Sequence, residues 1–290
     1  MRLGLNLGYA GASAAADTIA IVQEAERLGF DIVWVAEAYG SDAASVLGWI
    51  AGQTTRIGIG AAVFQIPART PAMTAMTAAT LDALSGRRFT LGLGLSGPQV
   101  SEGWHGVRYD APLSRTREYV DVVRMALRRE RVRYDGTHFT LPLPDGPGKA
   151  LAMGFRPLRA DIPVYIAAMG PKNLELAGEI GDGALPLFFA PEYADQWLPH
   201  LQAGRATAGK TMDGFDIAPT LSLSIAVDVA AAADPVREHA ALYLGGMGSR
   251  QTNFYAALAS RYGFAEQAAT VQESYLARDY EAAMAAVPLG

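Results

Sequence analysis

Cysteine is absent from this chain. That excludes disulfides, thiolate metal sites and cysteine nucleophiles, and it agrees with a cytoplasmic protein. Histidine is scarce: His105, His138, His200 and His239 are too scattered for a metal-binding triad, and no H-E-x-x-H occurs, so no metal is expected. No G-x-S-x-G elbow is present, which leaves nucleophilic hydrolysis without support. No unbroken apolar run of about 20 residues exists, so no transmembrane helix is expected. Met1 leads straight into a strand pattern, Arg2-Leu3-Gly4-Leu5-Asn6-Leu7, without the basic and apolar segments of a signal peptide. Positive charge is also in short supply. Lys and Arg number 24 against 29 Asp and Glu, giving a net charge of −5 and a pI near 5.4, the opposite of a nucleic-acid-binding balance. The densest basic run, Arg128 to Arg133, falls at the end of an expected helix, where cations offset the partial negative charge.

What the chain does have is a repeated alternation of short apolar runs with helical stretches. Strands are expected at 2–8, 31–36, 56–65, 89–95, 163–169, 183–189 and within 215–228. Helices are expected at 17–29 with Asp17 as N-cap and Gly29 as the stop, at 42–52 from Ser41 or Asp42, and at 71–85 with Pro71 in the first turn and Gly86 ending it. Further helices follow at 114–131 with Ser114 as cap, at 171–180 and near 191–208. The strands are apolar almost throughout, as parallel strands covered on both faces are. Seven such units in 290 residues favour one domain over residues 1–290, a TIM (β/α) barrel, over a doubly wound open sheet. Residues 132–162, rich in Pro and Gly, form an insertion with a short hairpin around 132–141, a lid or a subunit contact. Residues 232–287 read as Ala-rich helices, and no eighth strand is recognisable, so the last β/α unit is missing from the pattern.

In such a barrel the chemistry sits at the C-terminal ends of the strands. That rule selects Asn6, Glu37, Ala62 to Gln65, Ser96 to Glu102, Met169 to Asn173 and Leu187 to Phe189. Gly92-Leu93-Gly94-Leu95-Ser96-Gly97 matches a dinucleotide-binding pattern, but Gly92 and Gly94 lie inside a strand, and no helix is expected before Ser114. Small residues here instead let a flat ring approach the barrel mouth. At Ala168-Met169-Gly170-Pro171 a strand ends in small residues and a helix begins. The free N–H groups there either hold a phosphate, with Lys172 adding charge, or belong to an ordinary strand-to-helix turn. Glu37 and Glu102 are candidates for a general acid or for hydrogen bonding to a cofactor ring, and equally for solvated loop carboxylates. His105 is the histidine nearest this set, a proton donor or an incidental loop residue.

These segments, in order, resemble the bacterial-luciferase-like superfamily, and especially its coenzyme F420-dependent oxidoreductases. The carrying stretches are Leu28-Gly29-Phe30-Asp31, Val35-Ala36-Glu37, Ile57 to Val63, Leu81 to Phe89, Leu91 to Trp104, Pro163 to Ala168, Gly170-Pro171-Lys172-Asn173 and Gly181-Asp182-Gly183. The resemblance implies a barrel with F420, or alternatively FMN, at its mouth and a non-prolyl cis peptide at Ala62-Val63. It implies ring and tail contacts at Asn6, Glu37, Ala62, Val63, Gln65, Ser96 and Gly97, and phosphate contacts at Ala168, Met169, Gly170 and Pro171. The implied reaction is hydride transfer to or from an organic C=C, C=N or C=O group, with Glu37, Glu102 and His105 as candidate catalytic residues. An FMN monooxygenase and a non-catalytic flavin-binding protein are the alternatives. Ala38 stands where the sugar-phosphate dehydrogenases of the family carry histidine, so glucose-6-phosphate is not the expected substrate. A small-molecule substrate and a homodimer or higher homo-oligomer are expected, with neither nucleic acid nor membrane as partner.

Overall fold

The computed structural model describes residues 2–9, 15–248 and 253–289. The chain begins with β1 (Gly4–Asn6), α1 (Ala15–Leu28), β2 (Ile32–Val35), α2 (Ala43–Gln53), β3 (Gly58–Ala61) and β4 (Phe64–Gln65). It continues with α3 (Pro71–Leu84), β5 (Phe89–Gly94), α4 (Pro98–Gly103), α5 (Pro112–Leu127), and the hairpin strands β6 (Tyr134–Asp135) and β7 (Thr140–Leu141). Then come β8 (Val164–Ala167), α6 (Pro171–Ile180), β9 (Gly183–Leu185), α7 (Leu198–Thr207) and β10 (Asp216–Ile217). The helices α8 (Val229–Ala241), α9 (Phe254–Arg261), α10 (Ala265–Leu276) and α11 (Tyr280–Ala285) end the described chain. The sheet is parallel, in the order β1-β2-β3-β5-β8-β9-β10, with β4 also on β5, and it curls as a barrel of β/α units does.

The capping chemistry is local. Asp42 accepts the Ser45 N–H at 2.8 Å to start α2, and Thr70 with Pro71 starts α3. Helix α3 ends where Gly86 (φ 66°) and Arg87 (φ 71°) turn the chain back toward β5. Arg88 then gathers the bottom loops, donating to the carbonyls of Ser85, Ala51, Thr54 and Ile57.

Alternation along each strand separates two cores. Outward residues such as Val33, Val35, Ile59, Leu91, Leu93, Val164 and Ile166 are buried against the helices. Inward positions carry small residues around two large aromatics, Trp34 and Tyr165, whose ring centroids lie 5.8 Å apart. Glycine makes this possible. A Cβ on Gly183 would sit 2.8 Å from the Tyr165 ring, and one on Gly60 would run into the Trp34 ring. Burying about 200 Å² per aromatic at about 25 cal/mol/Å² gives each roughly 5 kcal/mol as an upper bound, so the glycines hold a sizeable share of the fold's stability.

The seam between β10 and β1 carries no ladder among the described residues. Side chains bridge it instead. Asp216 pairs with Arg2 at 2.5 Å and accepts the Tyr165 hydroxyl at 2.7 Å, and Asn6 Nδ2 donates to Thr220 Oγ1 at 3.1 Å. The seventh strand, expected within 215–228, is therefore short: β10 plus a single bridge from Leu187 to Thr220. Beyond it Leu221, Leu223, Ile225 and Val227 keep a strand-like alternation but are 65–100% exposed, because no neighbouring strand among the described residues takes them up.

Other boundaries moved for identifiable reasons. Helix α1 already runs from Ala15, so Asp17 sits in its first turn rather than at the cap. The expected strand 56–65 breaks into β3 and β4 at a cis peptide, Ala62-Val63. A short helix, α4, does precede Ser114, because Pro98 after extended Gly97 opens one. Helix α5 starts at Pro112 and ends at Leu127; Ser114 binds Ala111 O and His138 instead of capping. The stretch 191–208 splits into a 3-10 segment, Pro191–Gln196, and α7. The hairpin within the insertion is present, and Glu118 of α5 holds its turn by accepting the N–H groups of Thr137, His138 and Phe139 at 2.7–3.1 Å. Positions 249–252, inside the expected helical region 232–287, lie outside the described residues. No helix among the described residues is long and apolar enough to cross a membrane. Among them no group of three or more His, Asp or Glu is arranged to hold a metal ion.

Candidate active site

The C-terminal ends of β3 to β5 and β8 form a continuous shelf. Ala62 and Val63, joined by the cis peptide, are both half-buried and pack against the inner cluster of Trp34, Tyr165 and Leu185. Val63 lies directly over Gly94: a Cβ on Gly94 would be 2.6 Å from Val63 Cγ2 and 3.4 Å from Ala167 Cβ. Small side chains at 62, 94 and 167 leave a surface open to a flat ring. Gln65, only 2% exposed, ties its rim together. Its Oε1 accepts the Ser96 hydroxyl at 2.7 Å, and its Nε2 donates to Ala38 O at 2.7 Å. Ser96 reaches this position with φ 58°.

Behind the shelf lies a buried carboxylate. Glu37 accepts the N–H groups of Ala43 and Gln65, each at 3.1 Å, and pairs with Arg69. Arg69 also binds Asp42 at 2.5 Å and stacks 4.6 Å over the Phe64 ring. Burial works against ionisation of Asp42, but hydrogen bonds from Ser45 and the charge of Arg69 outweigh it and hold the group below its ordinary value. Both Glu37 oxygens are thus committed to fixing the β2–α2 loop and Gln65.

Next to the shelf, the chain leaves β8 and passes through Ala168 and Met169 to the start of α6. Gly170, the N-cap, supplies no side-chain cap, and nothing lies within 4 Å of where its Cβ would stand. Pro171 occupies the first helical position, so the N–H groups that follow it have no carbonyl partner within the helix. Asn173 donates to Ala167 O at 3.1 Å while its Oδ1 is buried without a partner. An uncapped helix start beside open volume is suited to an anion.

Asn6, Glu37, Ala62, Val63, Gln65, Ser96, Gly97, Ala168, Met169, Gly170 and Pro171 therefore all lie at this end of the sheet. Glu102 does not join them. It is exposed on α4, and its carboxylate accepts the Tyr109 N–H at 3.0 Å, closing the 102–109 loop. His105 sits in that loop, half-buried, with Nε2 unpaired. Arg69 was missed by sequence reasoning, and so were Tyr9, His239, Tyr243 and Tyr255, which form an aromatic cluster with Phe188 of the expected strand end 187–189. No local signal marks them as one site, because the contacts that join them to it, such as Arg69 to Glu37 and Tyr9 to Tyr243, span 32 and 234 residues.

Fold and site together define a parallel β/α-barrel protein with a shelf of small residues and an uncapped helix start side by side at the strand ends. The chain belongs to the luciferase-like monooxygenase family, whose model matches residues 2–290. It is 47% identical over 273 residues to a Mycobacterium tuberculosis protein provisionally named a coenzyme F420-dependent oxidoreductase, covering 92% of this chain and 79% of that one. It is 35% identical over 208 residues to the 5,10-methylenetetrahydromethanopterin reductase of Archaeoglobus fulgidus, covering 71% of this chain and 60% of the relative. In structure it is similar to the coenzyme F420-dependent tetrahydromethanopterin reductase of Methanopyrus kandleri, with a TM-score of 0.83, 25% identity, and coverage of 99% of this chain and 83% of the other.

Proposed function

We propose that the chain is an oxidoreductase that binds coenzyme F420 at the barrel mouth and uses it to pass a hydride to or from a small organic molecule. The observation that carries the reading is the direct continuity of the small-residue shelf at Ala62, Val63, Gly94 and Ala167 with the open, uncapped helix start at Gly170. A planar ring system joined to a phosphate needs that pair of surfaces side by side. The names borne by the relatives support F420 as the ring.

When bound, the cofactor supplies the hydride chemistry, to or from an electrophilic carbon of a C=C, C=N or C=O group. The chain's own residues bind and orient. Ala62, Val63, Gln65, Ser96 and Gly97 carry the ring edge, with Asn6 on the far side of the mouth. The backbone at Ala168, Met169, Gly170 and Pro171 receives the phosphate, aided by the helix dipole. Glu37 acts by holding Gln65 and Arg69 in place rather than by giving up a proton. Of the candidate acids, His105 has its Nε2 buried without a partner, so it serves as a proton donor only where a bound molecule reaches that nitrogen.

The test is a fluorescence titration of the purified protein with F420 and, separately, with FMN, which shares a ribityl phosphate tail. F420 is expected to saturate the protein and FMN to bind at least about tenfold more weakly, a difference of about 1.4 kcal/mol. Tight FMN binding without F420 binding would sink the reading in favour of an FMN-dependent monooxygenase.

A further inference from the structure

Five rings from distant parts of the chain meet at the strand-end side of the barrel. Tyr9 follows β1 and Phe188 follows β9, while His239, Tyr243 and Tyr255 come from α8, the π-helical turn after it and α9. The Phe188 ring lies 5.4 Å from Tyr243, 5.9 Å from Tyr255 and 6.0 Å from His239, and Tyr243 meets Tyr255 edge-on at 4.8 Å. The hydroxyls of Tyr9 and Tyr243 are 3.1 Å apart. Such a pair uses only one of its two hydrogens between the partners, so the second remains for a further acceptor.

The wall is joined to the shelf. Gly8 O accepts the Ala36 N–H at 3.2 Å, and Ala38 O accepts Gln65 Nε2, so Tyr9 and the ring-facing rim share the loop after β2. The wall's polarity is also distinctive. The polar groups of the wall are the hydroxyls of Tyr9, Tyr243 and Tyr255 and the His239 ring, which lies 4.7 Å from the Tyr243 ring and which burial holds toward its neutral form. Burial pushes the Tyr243 and Tyr255 hydroxyls above their ordinary values, which keeps them as O–H donors at neutral pH.

We infer that Tyr9 and Tyr243 are specificity-determining residues for a neutral, flat, carbonyl-bearing substrate, whose unsaturated body lies against the aromatic wall and whose oxygen accepts the pair's spare hydrogen. The inference rests on the barrel-mouth reading above. Aromatic faces and edges suit an unsaturated body, and a wall of neutral groups disfavours an anionic one.

The experiment is calorimetric titration of the F420-loaded and the cofactor-free protein with acetophenone, and with benzoate as its anionic counterpart. It compares wild type with Tyr9→Phe, Tyr243→Phe and the double variant. Acetophenone should saturate the wild type, with benzoate at least about tenfold weaker. Each single variant should weaken acetophenone about five- to tenfold, one hydrogen bond's worth. The double variant, which removes both donors, should lose at least as much as the larger single effect. Thermal midpoints and F420 affinity should stay at wild-type values, which a merely structural role for the hydroxyls would not predict. Absence of acetophenone saturation, unchanged affinity in the Phe variants, or benzoate binding as tightly as acetophenone would each overturn the inference. Failure of F420 to bind would count against the proposed function instead, and the cofactor-free arm would still decide the role of the wall.

Discussion

Replacing Gly170 by valine should move stability and cofactor binding in opposite directions. Gly170 has φ −90° and ψ 154°, an extended conformation open to any L residue, and a Cβ there would meet nothing within 4 Å. Gly170→Val therefore creates no clash in the protein itself. Losing glycine's freedom in the unfolded chain should stabilise the fold by about 0.4–1 kcal/mol, a rise of roughly 1–4 °C in Tm for a chain of this size. The same side chain fills the space in front of the free N–H groups of α6. An anion held there by charge-assisted hydrogen bonds loses about 1.5–3 kcal/mol when they cannot form, or about 10- to 150-fold in Kd. Fluorescence titration with F420 and thermal unfolding without it read the two effects separately. Unchanged F420 affinity would refute the placement of the phosphate. A lower Tm with weaker binding would refute the reasoning in another way, since it would show that the position is packed rather than open.

Two further outcomes concern the scaffold. Burial opposes ionisation of Glu118, but the backbone N–H groups of His138, Thr137 and Phe139 outweigh it and leave the folded group below its ordinary value of 4.5. A depressed carboxylate contributes stability that is present above the unfolded value and lost as pH falls through the folded one, so urea unfolding should show stability declining below about pH 4.5, and Glu118→Gln should flatten that decline. Asp82 is fully buried and pairs with Arg159, which also binds Phe89 O at 2.6 Å. Asp82→Ala should cost about 3–5 kcal/mol by stranding Arg159, and the double variant Asp82→Ala/Arg159→Met should recover much of it; a loss below about 1 kcal/mol in urea unfolding would contradict this account.

The strand-to-helix turn was the most legible part of the candidate site, because Ala168 to Pro171 are contiguous and proline at a helix start has a local physical meaning. The position of the break in the third strand came from the family resemblance, and the cis bond stands at Ala62-Val63. Glu37 and Glu102 looked alike in sequence, each an acidic residue near a strand end. Tertiary contacts separate them: Glu37 is sealed against Arg69 and two N–H groups, whereas Glu102 closes a surface loop on Tyr109.

The sequence alone determined the succession of strands and helices, since caps such as Asp42 and Thr70, stops such as Gly86 and apolar periodicity act within a few residues. It also pointed to small residues at the strand ends, of which Gly94 and Ala167 lie together beside Val63. Only the tertiary structure decided which aromatics fill the barrel, how the β1–β10 seam is bridged, and that Tyr9 meets Tyr243. Those outcomes depend on contacts between residues 51 to 234 positions apart, and no local rule of backbone or side-chain chemistry reaches that far.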